Sequence, residues 1–128
     1  MTGRPVLAVL VAMLFAGAVA AAAPRAAERG DLRAVERGRY LVHNVGMCVG
    51  CHGSSLNGAT LDFLAPDLPA AHTAPRIAGL PHLSVAQSVT FLTTGKLPNG
   101  SSARPPMPQY RLNHDDATAV ALYLKTLR

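Results

Sequence analysis

The feature that most constrains this chain is its cysteine content: there are two, Cys48 and Cys51, and a histidine, His52, follows the second directly. Two thiols one helical turn apart, with an imidazole beside them, suit few chemistries. A thioredoxin-like redox pair would need a βαβ pattern around it, and the flanking sequence has none. A structural zinc site would need two more ligands at short spacing, and there is no second cysteine pair. A disulfide between Cys48 and Cys51 would close so small a loop that it would stabilise little through chain entropy.

The remaining reading is covalent attachment of haem through C-x-x-C-H. Thiols at this spacing can add to the two vinyl groups on one edge of a porphyrin, and the adjoining imidazole then reaches the iron. Cys48, Cys51 and His52 are therefore the expected cofactor-binding residues, and His52 the first iron ligand.

The N-terminal segment agrees with chemistry outside the cytoplasm. Arg4 precedes an uninterrupted apolar run, Val6 to Val19, and small residues follow from Ala20 to Ala23. This is the pattern of a secretory signal peptide spanning residues 1–23, with cleavage among residues 20–23. An uncleaved membrane anchor is the competing reading, because the apolar stretch is almost long enough to span. Either way the rest of the chain is expected in the periplasm or otherwise exported, as a short linker (24–30) and one domain (31–128).

A domain of roughly 100 residues buries enough apolar surface to fold, without much to spare. With no Trp, three Phe and three Tyr in the whole chain, its own side chains make a thin core, and a buried haem would supply apolar volume. The net charge of +5 comes mainly from scattered arginines. It makes no basic tract of the kind that binds nucleic acid.

A six-coordinate iron needs a second axial ligand, and a thioether opposite a histidine raises the reduction potential. Beyond the signal segment only Met47 and Met107 are available. Met47 adjoins Cys48 on the histidine side of the ring. Met107 lies far downstream in Arg104-Pro105-Pro106-Met107-Pro108, where prolines predict an extended, stiff loop. Met107 is the expected sixth ligand; packing in a proline-rich turn is the alternative. His43, His72, His82 and His114 are the candidates for ligation by two histidines.

Three helices are expected around this site. The first spans Asp31 to Val45, with Asp31 as N-cap and a stripe of Val35, Gly38, Val42 and Val45. Gly38 inside a helix implies close approach by another element. The second spans Ser84 to Thr94, opened by a Ser84/Gln87 capping box and closed by Gly95. The third spans His114 to Leu127, capped by Asn113, with Ala117, Val120, Ala121, Leu124 and Leu127 on its buried face. Between the first two, Gly53 to Pro81 reads as a long irregular loop broken by Pro66, Pro69, Pro75 and Pro81.

In this order the pieces resemble the class I cytochromes c, over roughly Glu36 to Leu127. Glu36-Arg37-Gly38-Arg39-Tyr40-Leu41-Val42 is similar to the family's first helix. Cys48 to His52 matches its haem motif, Met107 its distal ligand, and Asp115 to Leu127 its terminal helix. Phe91-Leu92-Thr93-Thr94-Gly95-Lys96 resembles the corresponding helix end in cytochromes that serve periplasmic dehydrogenases. The resemblance implies an all-α cytochrome c fold, with three main helices and long loops around one covalent haem c.

It also implies that the first and last helices cross closely, with Gly38 facing the stripe of Val120, Ala121 and Leu124. A proline carbonyl is expected to accept a hydrogen bond from the His52 imidazole, Pro75 being the most similar and Pro66 the second candidate. The lysine ring by which mitochondrial relatives dock on their oxidase is missing, since the lysines are Lys96 and Lys125. Arg76 and Arg104 are candidates to neutralise the haem propionates.

The function expected on this basis is transfer of single electrons between a redox-protein donor and acceptor, in a respiratory chain or beside a dehydrogenase, with no catalysis by the chain itself. A haem sensor of gas or peroxide, or a small haem enzyme, would instead need an open distal site. A haem-free thiol protein is the third possibility. Membrane contact is expected only if the N-terminal segment is retained.

Overall fold

A computed structural model describes residues 25–128; the expected signal segment, 1–23, lies outside the described residues. Among the described residues no helix is long and apolar enough to cross a membrane.

Helix α1 spans Ala26–Tyr40 and runs into a π-helical turn, Leu41–Val45. It starts five residues before Asp31, so residues 26–30, expected as linker, are helical. The reason is local: the Glu28 carboxylate accepts from the Arg25 backbone N–H at 2.7 Å, and the alanines at 26 and 27 favour helix. Residues 25–33 are all exposed, so no apolar stripe marked them as helical. At the other end the π-helical turn widens the winding: the Gly46 N–H reaches Leu41 O at 2.6 Å and the Cys48 N–H reaches Val42 O at 2.9 Å. Such turns recur at functional sites; here it swings the chain from α1 into the one-turn helix α2, Val49–His52.

The long loop after α2 is pinned by a small ladder the sequence did not signal, β1 (Ala59–Thr60) antiparallel to β2 (Thr73–Ala74), pairing Ala59 with Ala74 and Thr60 with Thr73. Leu56, fully buried, accepts from the N–H groups of Ile77 and Ala78 at 2.9 and 3.0 Å. The loop is thus folded back on the core.

Helix α3, Val85–Thr94, has the expected ends. Ser84 Oγ accepts from the Gln87 N–H at 3.2 Å, and Gln87 Oε1 from the Ser84 N–H at 2.9 Å. Gly95 closes the helix at φ +75°, in the left-handed region open to glycine. Helix α4, His114–Thr126, is capped by Asn113 Oδ1, which accepts from the Asp116 N–H at 2.8 Å.

Helices α1 and α3 both pack on α4. Where α1 crosses α4, a Cβ on Gly38 would meet the Ala119 carbonyl carbon at 2.5 Å and Tyr123 Cβ at 2.8 Å. Gly38 therefore faces Ala119 and Tyr123, slightly off the expected Val120, Ala121 and Leu124. Those three line the core instead: Leu41, Val42, Leu56, Ala78, Val120, Tyr123 and Leu124 form one buried cluster, and Val89, Ala117 and Ala121 a second between α3 and α4. The helical architecture matches the expected all-α class, with helices packed in pairs around small side chains.

Candidate functional site

The C-x-x-C-H residues sit on a single turn. Cys48 is the N-cap of α2, and its carbonyl accepts from the N–H groups of Cys51 at 3.3 Å and His52 at 2.9 Å. Both thiols are free and half-buried. Burial pushes the Cys48 thiol above its ordinary pKa.

His52 is buried, and its Nδ1 lies 2.7 Å from Pro75 O. A carbonyl can only accept, so Nδ1 carries the proton and Nε2 is left with its lone pair. An outer partner of this kind orients a ligating imidazole and raises its basicity. Of the two candidate prolines, the structure brings Pro75 to His52.

Gly58 makes this approach possible, and sequence reasoning missed it. It adopts φ +93°, and a Cβ there would lie 2.9 Å from Ala74 O and 3.2 Å from the Pro75 carbonyl carbon. Only glycine lets the 74–76 backbone come so close. The Gly58 N–H also donates to His52 O at 2.9 Å, so one residue links the histidine to the strand pair beside Pro75. A glycine directly before a short extended run was the only signal in the sequence.

Met107 is half-buried. Its segment is a turn where an extended run was expected: Pro105–Pro106 is a cis peptide, and the Met107 N–H donates to Arg104 O at 3.2 Å. The turn is tied to the long loop by the Ala71 N–H donating to Pro105 O at 2.7 Å and by Arg104 Nη2 donating to Ala70 O at 3.1 Å. Arg76 likewise donates to Ala78 O, so the two arginines considered for propionates each hold a loop carbonyl.

Tyr110 is the second residue the sequence did not single out. Its hydroxyl donates to Gly46 O at 2.5 Å, joining the segment after Met107 to the segment before Cys48. Burial and the neighbouring Cys48 push the phenol up to about 12, so it remains a donor at any ordinary pH. Tyr110, Leu112, Leu41, Val45 and Cys48 line a cavity of about 70 Å³, an apolar slot against the first thiol.

The other histidines are engaged or remote. His43 Nε2 lies 2.8 Å from Tyr123 Oη, and His72 Nε2 lies 3.0 Å from Leu68 O. His82 and His114 are exposed. Among the described residues no group of three His, Cys, Asp or Glu side chains is placed to hold a metal ion.

The donor set therefore fits haem c: two free thiols on one helical turn, an imidazole with its outer nitrogen already bonded, and an apolar slot beside Cys48. Residues 35–128 match the family described as Cytochrome c, whose members bind haem c covalently, with its iron, and carry electrons between redox proteins. No curated protein and no solved structure matches the chain significantly. From the α1–α4 crossing to the end of α4 the family match covers the fold and the haem motif together, and the chain belongs to the cytochrome c family.

Proposed function

We propose that the chain is an exported, mono-haem electron carrier in which His52 and Met107 are the two axial ligands, and that a periplasmic dehydrogenase or respiratory chain supplies its partners. The observation that carries this reading is the bonding of the Met107 segment, tied on one side to residues 70–71 and on the other to Gly46, two residues before Cys48. A thioether held from both sides needs little rearrangement when iron changes oxidation state.

Haem c, when bound, supplies one-electron chemistry at iron. The chain's own residues do the rest. Cys48 and Cys51 would anchor the group, Pro75 O holds the proton on His52 Nδ1 and so leaves Nε2 free to bind iron, and Leu41 and Leu112 supply apolar surface beside Cys48. The +5 charge carries no lysine ring, so docking on an oxidase through such a ring is not part of the proposal.

The test is spectroscopic. The ferric protein should show the near-infrared thioether–iron band, and the ferrous protein should not bind carbon monoxide. Absence of the band with ready carbon monoxide binding would make the protein a sensor or small haem enzyme instead. Capture of partners from the native periplasm tests the dehydrogenase assignment separately.

A further inference from the structure

Segment 103–112 contains no helix and no strand of a sheet, and among the described residues its ties are few. At its start, Pro105 O and the Arg104 side chain bond residues 70–71. At its end, the Leu112 N–H donates to Leu92 O at 3.1 Å. Between these, Arg111 donates to Thr94 O, which fastens the segment to the end of α3. The Tyr110 hydroxyl alone among these ties has its partner, Gly46 O, in the segment that leads into Cys48. That acceptor is itself well placed, because the Gly46 N–H is bonded to Leu41 O within the π-helical turn.

We infer that Tyr110 is a positioning residue for the sixth ligand: its hydrogen bond to Gly46 O latches the Met107 segment to the haem-attachment segment and sets how often the distal side opens. The inference rests on Met107 as the ligand and adds what keeps it there. Segments with few buried contacts and few backbone bonds open at low free energy. An external ligand that binds only the open form has an apparent affinity reduced by the open fraction. Removing one hydrogen bond of ordinary net strength raises that fraction about five- to tenfold.

Imidazole titration of the ferric holoprotein reads the open fraction directly. Tyr110→Phe removes only the hydroxyl and should bind imidazole about five- to tenfold more tightly than the parent, with the thioether–iron band present before titration. In a Met107→Ala background there is no ligand to latch, so adding Tyr110→Phe should leave imidazole affinity unchanged. Tyr110→Leu, also without the hydroxyl, replaces the Phe variant if that one does not accumulate with haem. Equal affinities for parent and variant, with the band present in both, would overturn the latch and leave the Met107 assignment standing. The same gain in the Met107→Ala background would show a general loosening and overturn it too. A parent protein without the band would overturn the Met107 assignment and the latch together.

Discussion

Gly38 on α1 and Ala119 on α4 meet backbone to backbone, so closely that a Cβ on Gly38 would overlap the Ala119 carbonyl group. The obstacle is main chain, so no rotamer change relieves it. This contact sets the distance between the first and last helices, and with it the position of the π-helical turn that feeds Cys48.

Gly38→Ala should therefore destabilise the protein although alanine is the better helix former. The propensity gain is about 1 kcal/mol, whereas overpacking of a tight contact costs about 1–3 kcal/mol, and more where backbone must move. A net loss of up to about 2 kcal/mol is expected in guanidinium unfolding of the holoprotein, against a gain of up to about 1 kcal/mol for Gly30→Ala, where a Cβ meets nothing within 4 Å.

Arg37 and Asp116 join the same two helices: Nε and Nη2 donate to the two carboxylate oxygens at 2.9 and 3.2 Å. The Arg37 hydrogen bonds hold the Asp116 carboxyl below the usual carboxylate range. A carboxyl whose pKa is depressed on folding stabilises the folded state above its unfolded pKa, and that contribution is lost as pH falls through the folded value. The melting temperature of Asp116→Asn should thus lie below the parent's near neutrality and converge with it in acid. Because the pair is exposed, added salt should narrow the gap as well. Thermal melts across pH, at low and high salt, check both.

The cap of α3 makes a smaller, cleaner prediction. Ser84→Ala removes the acceptor for the Gln87 N–H and should cost about 1 kcal/mol. Chemical denaturation measures it. Haem content should be unchanged, since Ser84 lies outside the Cys48–His52 turn.

Haem attachment itself is tested at the thiols. Changing either Cys48 or Cys51 to Ala should leave a haem held by one thioether bond, and changing both should leave none that survives denaturation. Haem staining after denaturing electrophoresis, with absorption of the alkaline pyridine complex, distinguishes the three outcomes. Covalent haem in the double variant would contradict the role given to this pair.

Several of these features were legible in the chain alone because they are local. The C-x-x-C-H motif is set by covalent chemistry over five residues. The ends of α3 and α4 follow from Ser84, Gln87, Gly95 and Asn113, whose side chains or conformations act within one turn. Gly38 stood out because, within the apolar stripe of its helix, it is costly unless something lies against it. The start of α1 carries no such signal: residues 26–33 are exposed on all sides, and alanines with the Glu28 cap form the helix there without any apolar period.

What the tertiary structure decided depends on backbone groups far apart in sequence, which have no residue-type signature. A carbonyl is present at every position, so nothing in composition could say that Pro75 O and not Pro66 O would reach His52. That choice rests on the Ala59–Ala74 pairing and on the space left by Gly58. Likewise the Tyr110 hydroxyl finds Gly46 O only because α3 and α4 bring residues 103–112 back to the start of the haem motif. The sequence by itself determined that the chain attaches haem and which helices frame it. The fold decided which carbonyl holds the histidine and which hydroxyl ties the methionine segment, because those bonds join segments that meet only once the helices have packed.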